Sequence, residues 1–431
     1  MTIKTITASL LATALLTTTA YAGGFSRGSA NLDGLYASED GSDAITAYSG
    51  VTLVNPGRSY DSITGVTVVN GRPTPFRQGS IEISETFLVP YASVGIKFND
   101  DLRCVNSYSV PYGGDSSYEG EITYFISRQE IETYELGATC SYGFDVGRGQ
   151  AYAIGGVFYE ALTYSQARNF NRAFPQAVFP ISVNGDSSIN VSGDTFGYRI
   201  GAAYEIPEIA LRASLIYRSE TDYDVDGSFT NTPFAVLAAA DLVAQGRAPD
   251  FGTALNAALG VFGTATSANA FASATLPRQV ELNVRSGVAP GTLVFGSVRW
   301  TDWSVVEQID LFEGISGSAF TNFRGFFEDG FTVTVGGARA FNDDLAGSIA
   351  FTYDQGVGSG YDTFSDTYSV AAGLSYDLND IANIRAGGAL LYFTDDVRDR
   401  EDPTITGAPG YVATSPNEFG YALSTALNIK F

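Results

Sequence analysis

Residues 419–431 read FGYALSTALNIKF, and the chain ends on Phe431. Phe419, Tyr421, Leu423, Thr425, Leu427, Ile429 and Phe431 take the odd positions. Gly420, Ala422, Ser424, Ala426, Asn428 and Lys430 take the even ones. Successive side chains of a β-strand point to opposite faces, so this stretch predicts a strand with one greasy face and one small or polar face. A half-buried strand of a soluble sandwich would read the same way, and the rest of the chain has to decide.

Period-two segments recur fourteen times, at 44–56, 87–98, 102–112, 133–144, 151–163, 194–205, 209–220, 278–288, 292–304, 329–341, 345–356, 366–378, 383–395 and 419–431. Most run about 11 to 13 residues, where an average soluble strand has about 5 to 6 and a tilted strand crossing a bilayer needs about 9 to 11. In 209–217, Ile209, Leu211, Ala213, Leu215 and Tyr217 share one face, with Arg212, Ser214 and Arg218 opposite. The connections alternate in length. The short ones are 99–101, 145–150, 205–208, 289–291, 342–344 and 379–382. The long ones are near 57–86, 113–132, 164–193, 221–277, 305–328, 357–365 and 396–418. That alternation is the asymmetry of an outer-membrane barrel, with short periplasmic turns and long extracellular loops. Closure pairs every backbone group, which makes strands viable in lipid. Aromatic residues at strand ends, as in Tyr91/Phe98, Tyr142/Phe144, Tyr376 and Tyr392/Phe393, predict interfacial girdles.

The first 22 residues stand apart. Lys4 supplies a basic start, Ile6 to Leu16 a modest apolar stretch, and Ala20-Tyr21-Ala22 a cleavage site, so a secretory signal peptide is expected, with the mature chain starting at Gly23. No later segment has 18 or more consecutive apolar residues, which argues against a helical span. The 48 Gly, 25 Tyr and 29 Phe argue for β structure. A net charge of −23 without a basic cluster disfavours nucleic acid as a partner.

The chain contains no histidine, which removes Ser/His, Cys/His and Asp/His mechanisms and any His-based zinc site. The acidic residues form no distinct catalytic pair, and neither an enzyme activity nor a cofactor is expected. Asp222-Tyr-Asp-Val-Asp-Gly227 begins like an EF-hand loop, but its twelfth position is Pro233 rather than Glu. If Leu102 lies opposite Tyr142, then Cys104 lies opposite Cys140, as a cross-strand disulfide or a contacting thiol pair in an oxidising compartment.

The last strand, with apolar residues at every second position before a terminal Phe431, resembles the C-terminal signature of bacterial outer-membrane barrels. That implies handling by the barrel-assembly machinery and a Gram-negative outer membrane with its lipid around the protein. Five further stretches resemble the FadL/TodX-like family of outer-membrane transporters of long-chain fatty acids and other hydrophobic molecules. They are Tyr108-Ser-Val-Pro-Tyr-Gly-Gly114, Tyr217-Arg218-Ser219-Glu220, Leu276-Pro277, Trp300-Thr-Asp-Trp303-Ser304, and Gly23-Gly24-Phe25 after cleavage. The fold class expected is all-β: a 14-stranded antiparallel transmembrane β-barrel over 44–431, with a short N-terminal plug, 23–43, in the lumen. The resemblance implies a greasy groove between the two longest loops, 164–193 and 221–277, then a lumenal pocket, then exit through a gap in the wall or around the plug. The family's Asn-Pro-Ala before the first strand is missing; the one Asn-Pro is Asn55-Pro56.

In 221–277 the apolar residues recur at helical spacing. They predict a helical cap on the mouth, or a groove lined by Phe234, Leu237, Phe251, Leu255 and Phe262, or both. Phe170, Phe174, Val178 and Phe179 would form the opposite wall. Arg212, Arg218, Glu220, Asp222, Asp224 and Asp226 are expected to face the lumen and then its mouth, joined by Arg285 and Arg299. These arginines either brace the barrel through ion pairs or hold a fatty-acid carboxylate bidentately. Arg168 lies near where the resemblance implies a basic residue facing ligand. The expected activity is diffusion-driven uptake of a hydrophobic ligand such as a long-chain fatty acid by a monomer. A general porin for polar solutes and a structural or adhesive barrel are the alternatives.

Overall fold

The computed structural model describes residues 24–36, 44–69, 72–174, 181–262, 267–313, 319–359, 364–400 and 410–431. The expected signal peptide and residues 37–43 of the expected plug lie outside them, as do Val178 and Phe179. Fourteen strands form the wall: β1 Ile45–Asn55, β2 Phe87–Lys97, β3 Leu102–Ser109, β4 Arg128–Val146, β5 Gly149–Phe174, β6 Ile181–Ile206, β7 Leu211–Arg218, β8 Gln279–Ala289, β9 Thr292–Thr301, β10 Gly330–Ala340, β11 Leu345–Asp354, β12 Thr367–Asp377, β13 Ala382–Phe393 and β14 Glu418–Lys430. Each pairs antiparallel with its neighbours. β14 returns to β1 with Leu53 opposite Leu423, and this closes the sheet. Closure joins the first strand to the last, so the strands can sit in hydrocarbon with their backbones paired, apart from a local parting between β2 and β3.

The side chains sort by face as the period requires. Leu88, Val157, Leu215, Val335, Val370 and Leu423 point outward and exposed. Ser93, Ser107, Glu135, Arg199 and Arg385 point inward and buried. Two aromatic belts mark the ends of the outward face. Tyr134, Tyr159 and Phe196 touch in sequence near the long-loop end, with ring centroids 6.2 and 5.5 Å apart, and Tyr353, Tyr368, Tyr392 and Phe419 continue the belt. Phe98, Tyr142, Phe144, Phe341 and Phe431 are exposed at the short-turn end. Two residues read as girdle members are not. Phe393 is buried inside the barrel, and Tyr91 lies inward on β2, lining the lumen. Both sit at the opposite parity from their exposed neighbours.

Three of the short turns share one device. The side-chain oxygens of Asn99, Asn342 and Asn379 each accept two backbone N–H bonds, at 2.8–2.9 Å, from the residues two and three further on. An asparagine side chain thus replaces a backbone acceptor and fixes the reversal. In the β3–β4 pair Leu102 stands opposite Tyr142 and Cys104 opposite Cys140. The two sulfurs are bonded, with Cα atoms 4.0 Å apart, on the outward face of the wall.

At the other end the wall grows beyond the membrane. The 164–193 connection is itself mostly β-hairpin, because β5 and β6 run on, paired to Phe174 and Ile181. The 221–277 connection carries a hairpin, Thr221–Asn231 with Ser267–Leu276, topped by α1 Phe234–Ala244 and α2 Phe251–Phe262. Across the mouth the first and last long connections join. Asp396–Asp399, Gly410–Ser415, Ser62–Val69 and Arg72–Gln78 make a four-stranded sheet over a core that includes Tyr60, Ile63, Tyr118, Ile122 and Tyr411. These segments are remote in sequence and adjacent in space because closure sets β1 beside β14.

Candidate functional site

Residues 24–36 run inside the barrel, from the long-loop end towards the short turns. Near the top, the segment borrows a strand. Arg27 N–H donates to the Pro111 carbonyl and Gly113 N–H to the Phe25 carbonyl, both at 2.8 Å, in a bridge between Ser26 and Tyr112. Lower down, Gly28 slips between Val89 and Val110, where an added Cβ would stand 3.1 Å from the Val89 side chain. At the bottom Leu35 is fully buried with Val105, Tyr152, Ile154 and Ala203, and the Ser141 hydroxyl donates to its carbonyl.

The borrowed pairing has a cause in the wall. β2 and β3 pair from Lys97/Arg103 to Ala92/Tyr108 and then part, so Phe87–Tyr91 makes no ladder with β3. On the other side, β3 stands in register with β4 to Ser109/Glu135, and pairing resumes at Gly113/Glu132. The β3 side uses four steps where β4 uses three, which is a bulge. It falls at Val110-Pro111, and Pro111 has no N–H to give a neighbouring strand. The result is a gap in the wall between Phe87–Tyr91 and Ser109–Gly113, bridged from within by Phe25–Arg27.

A second slip lies nearby. Between Arg218/Arg199 and Asp226/Ser192 the chain after β7 uses eight steps against seven on β6. The extra residue falls at Ser219-Glu220, where Ser219 N–H donates to the Tyr198 carbonyl and the Ser219 hydroxyl accepts from the Tyr198 N–H, both at 3.0 Å. A one-residue slip exchanges the two faces of everything beyond it.

All five quoted stretches meet around one ring. The fully buried Tyr112 hydroxyl donates to the Pro277 carbonyl at 2.9 Å and accepts from Arg218 at 3.3 Å. The Tyr112 ring lies edge-on to Trp303, 5.7 Å away. Trp303 supports the Gly24 backbone so closely that a Cβ there would stand 2.8 Å from the indole, and it meets Phe25 at 6.2 Å. Phe25 is also ringed by Phe323, Phe327 and Phe364 at 5.1–5.8 Å.

Beside Tyr112 sits a buried charge cluster. Glu135 and Glu160 are direct cross-strand neighbours, and so are Arg199 and Arg218. Like charges directly opposite repel, but the two pairs face each other. Arg218 bonds both Glu135, at 3.3 Å, and Glu160, and Arg199 bonds Glu135. Glu160 also accepts from Tyr223 and, at 3.1 Å, from Thr221. Both guanidiniums stack on the Phe158 ring, 4.4–4.6 Å from its centroid. Four charges thereby cancel inside the wall, and geometry of this quality is what offsets desolvation.

The lumen left open by the N-terminal segment holds a cavity of about 290 Å³. Val89, Tyr91, Val110 and Pro111 at the gap line one side; Arg212, Glu281, Arg285, Phe295 and Arg385 line the rest. A smaller cavity of about 110 Å³ lies against Gly24 and Phe25, with Arg58, Asp354, Phe393 and Arg398 around it. The Phe25 cluster thus stands where the two spaces approach each other.

The family model described as outer membrane protein transport protein (OMPP1/FadL/TodX) matches residues 3–406. The chain belongs to this family. The long-chain fatty acid transport protein of Escherichia coli O6:H1 is 23% identical over 432 residues, covering 91% of this chain and 92% of that relative. The crystal structure of a Pseudomonas aeruginosa FadL homologue superposes with a TM-score of 0.72 at 14% identity, over 95% of this chain and 100% of that one. The Pseudomonas putida toluene transporter TodX gives 0.57 at 11% identity, over 99% and 98%. The structural likenesses show the shared barrel, and family membership places it in the Gram-negative outer membrane.

Within this family fold the sequence-derived residues divide. Arg212, Arg218 and Arg285 line the larger cavity, where Arg218 belongs to the charge cluster. Arg168 lines neither cavity. It sits on the outer part of β5, donating to the Ser187 hydroxyl at 3.3 Å, and burial holds its pKa below the ordinary guanidinium value. Leu237 and Leu255 pack on the alanine-rich seam between α1 and α2, while Phe251 is exposed. The side chains of Phe170, Phe174, Phe234 and Phe262 lie outside the described ones. Asp222, Asp224 and Asp226 do not face the mouth with Arg218, as their even numbering suggested. The bulge at Ser219-Glu220 turns them outward, where Asp222 and Asp224 accept from Thr275 and Ser273 at 2.7 and 2.9 Å, and puts Tyr223 and Val225 inside. Sequence reasoning passed over Glu135, Glu160 and Arg199. Their signal was present: each is a charge on the inward parity of a strand whose other face is apolar.

Proposed function

We propose that this protein carries long-chain fatty acids or similar hydrophobic compounds across the outer membrane by diffusion, without chemistry. The ligand gathers between the β5–β6 hairpin and the α1–α2 cap, where the exposed Phe251 supplies apolar surface. It passes the Phe25 cluster into the larger cavity, where Arg212 or Arg285 meets a polar head. It leaves sideways through the gap between Phe87–Tyr91 and Ser109–Gly113. Residues 23–43 act as the plug that keeps water-soluble solutes out. The barrel works as a monomer in outer-membrane lipid, delivered by the assembly machinery through the strand ending in Phe431.

The observation that carries this reading is that the cavity reaches the gap itself: Val89, Tyr91, Val110 and Pro111 line both. A porin needs a straight aqueous path, whereas a hydrophobic ligand gains by escaping sideways into hydrocarbon. Filling the gap tests it. Val110→Trp should sharply lower oleate uptake in cells lacking their own fatty-acid channel, while the variant still inserts as a folded barrel. Undiminished uptake by a correctly inserted variant overturns the sideways route.

A further inference from the structure

The lipid-facing side of the wall carries a polar group at a depth that belongs to hydrocarbon. Asn106 lies on the outward parity of β3, between the buried, inward Val105 and Ser107, and is itself exposed. It stands opposite Ala138, midway along β4 between Tyr134 and Tyr142 of the two aromatic belts. Its row continues through Val94 and Ala47 on one side, and beyond Ala138 through Val157 on the other. All of these neighbours are apolar. The Asn106 carboxamide makes no hydrogen bond among the described residues. An amide left without a partner in hydrocarbon is costly, so a polar side chain kept at this depth points to a function.

Its place relative to the gap says which function. The β2–β3 ladder ends at Ala92 opposite Tyr108, and the gap begins with the next residue of each strand. Tyr108 shares the outward parity of Asn106, two residues nearer the gap. On the other side of Ala92 stands Ser49 of β1, outward and exposed. A carboxamide and two hydroxyl-bearing residues thus surround Ala92 at the lower corner of the gap, on the lipid side. Ala92 and Ala138 are both exposed and small, which leaves room beside Asn106 for a head group.

We propose that Asn106, flanked by Ser49 and Tyr108, is an exit subsite on the lipid face of the wall for the head group of a protonated long-chain acid. This rests on the sideways route above and names the ligand class that the exit serves. A tail leaving through the gap dissolves in lipid at once, but its head emerges at mid-depth, far from water. An ionised carboxylate pays a prohibitive desolvation cost there, and the neutral acid a far smaller one. A carboxylic acid and a carboxamide are complementary. The acid O–H donates to the amide oxygen, and the amide N–H donates to the acid carbonyl. The pairing satisfies both groups at once and spares the head a step through bare hydrocarbon. A hydrocarbon ligand has no head to hand over and passes Asn106 without using it.

The test compares two probes with the same tail, oleate and heptadecene, which lacks the carboxyl group. Uptake of each is measured with the full-length protein in cells lacking their own fatty-acid channel. Asn106→Leu should lower oleate uptake roughly tenfold, the scale of one or two neutral hydrogen bonds, and leave heptadecene unchanged. Asn106→Gln keeps the carboxamide and should restore most of the oleate rate. The proposal is overturned if Asn106→Leu spares oleate or slows both probes alike. It is also overturned if the purified protein is a dimer that Asn106→Leu splits, since the carboxamide would then serve a contact between copies. Val110→Trp separates this subsite from the route itself, because filling the gap should slow both probes. If Val110→Trp slows both and Asn106→Leu slows neither, the subsite falls and the route stands; if Val110→Trp slows neither, the route falls too.

Discussion

Arg218 shows what a single inward charge does in this wall. It lies between two adjacent glutamates, stacks on Phe158 and reaches the Tyr112 hydroxyl. Replacing it with Met keeps the volume but leaves Glu135 and Glu160 side by side with one guanidinium, Arg199, between them. Breaking a buried pair from one side costs about 3–5 kcal/mol, because the partner stays charged and dry. Arg218→Met should therefore lower the barrel's unfolding free energy, measured by urea titration in micelles, by that amount, and Arg218→Met with Glu160→Gln should recover a good part of it. A loss below about 1 kcal/mol, the value of an exposed pair, would mean the cluster is hydrated. This residue was legible from the alternation of 209–220. Its partners were not, because a period-two pattern says which side a residue faces and nothing about which strand supplies its neighbour.

At the scale of the strand, the two bulges explain what the alternation could not show. From Leu211 to Val225 the apolar residues keep to odd positions, Ile216 excepted. Within the bilayer apolar side chains belong outside, against lipid; above it they belong inside, away from water. An unbroken strand would meet only one of these demands. The extra residue at Ser219-Glu220 exchanges the faces where the surroundings change, so Leu215 points out and Tyr223 points in. Deleting Ser219 should restore a straight register, turn Asp222, Asp224 and Asp226 into the apolar interior, and expose Tyr223. The outer hairpin should then become sensitive to proteinase K on intact cells while the membrane-embedded barrel stays protected. A resistant hairpin would show that the faces are set by something other than the slip. The sequence carried no marker for this event, since the pattern is the same on both sides of it.

For the molecule as a whole, the question is whether the lumen conducts. Phe25, Leu35 and Tyr36 fill its two ends from one short segment, and the remaining space is lined by both charges and apolar groups. The intact protein in liposomes should therefore pass arabinose and sucrose no faster than empty vesicles, and removal of residues 23–43 should open the barrel to both. Free sugar passage by the intact protein would favour a general porin. This scale was also the one at which separate motifs became a site. Stretches near residues 25, 112, 218, 277 and 303 were recognisable one by one, but their meeting at Tyr112 depends on closure and on both bulges together.

The amino-acid sequence alone determined how many strands there are, roughly where they run, which face meets lipid and which connections are short. Each of those follows from alternation within a dozen residues, repeated until the pattern could have no other source. Only the tertiary structure decided where the wall parts, which charges cancel and what lies in the lumen. Those depend on register between strands, and a one-residue slip changes register without changing local composition.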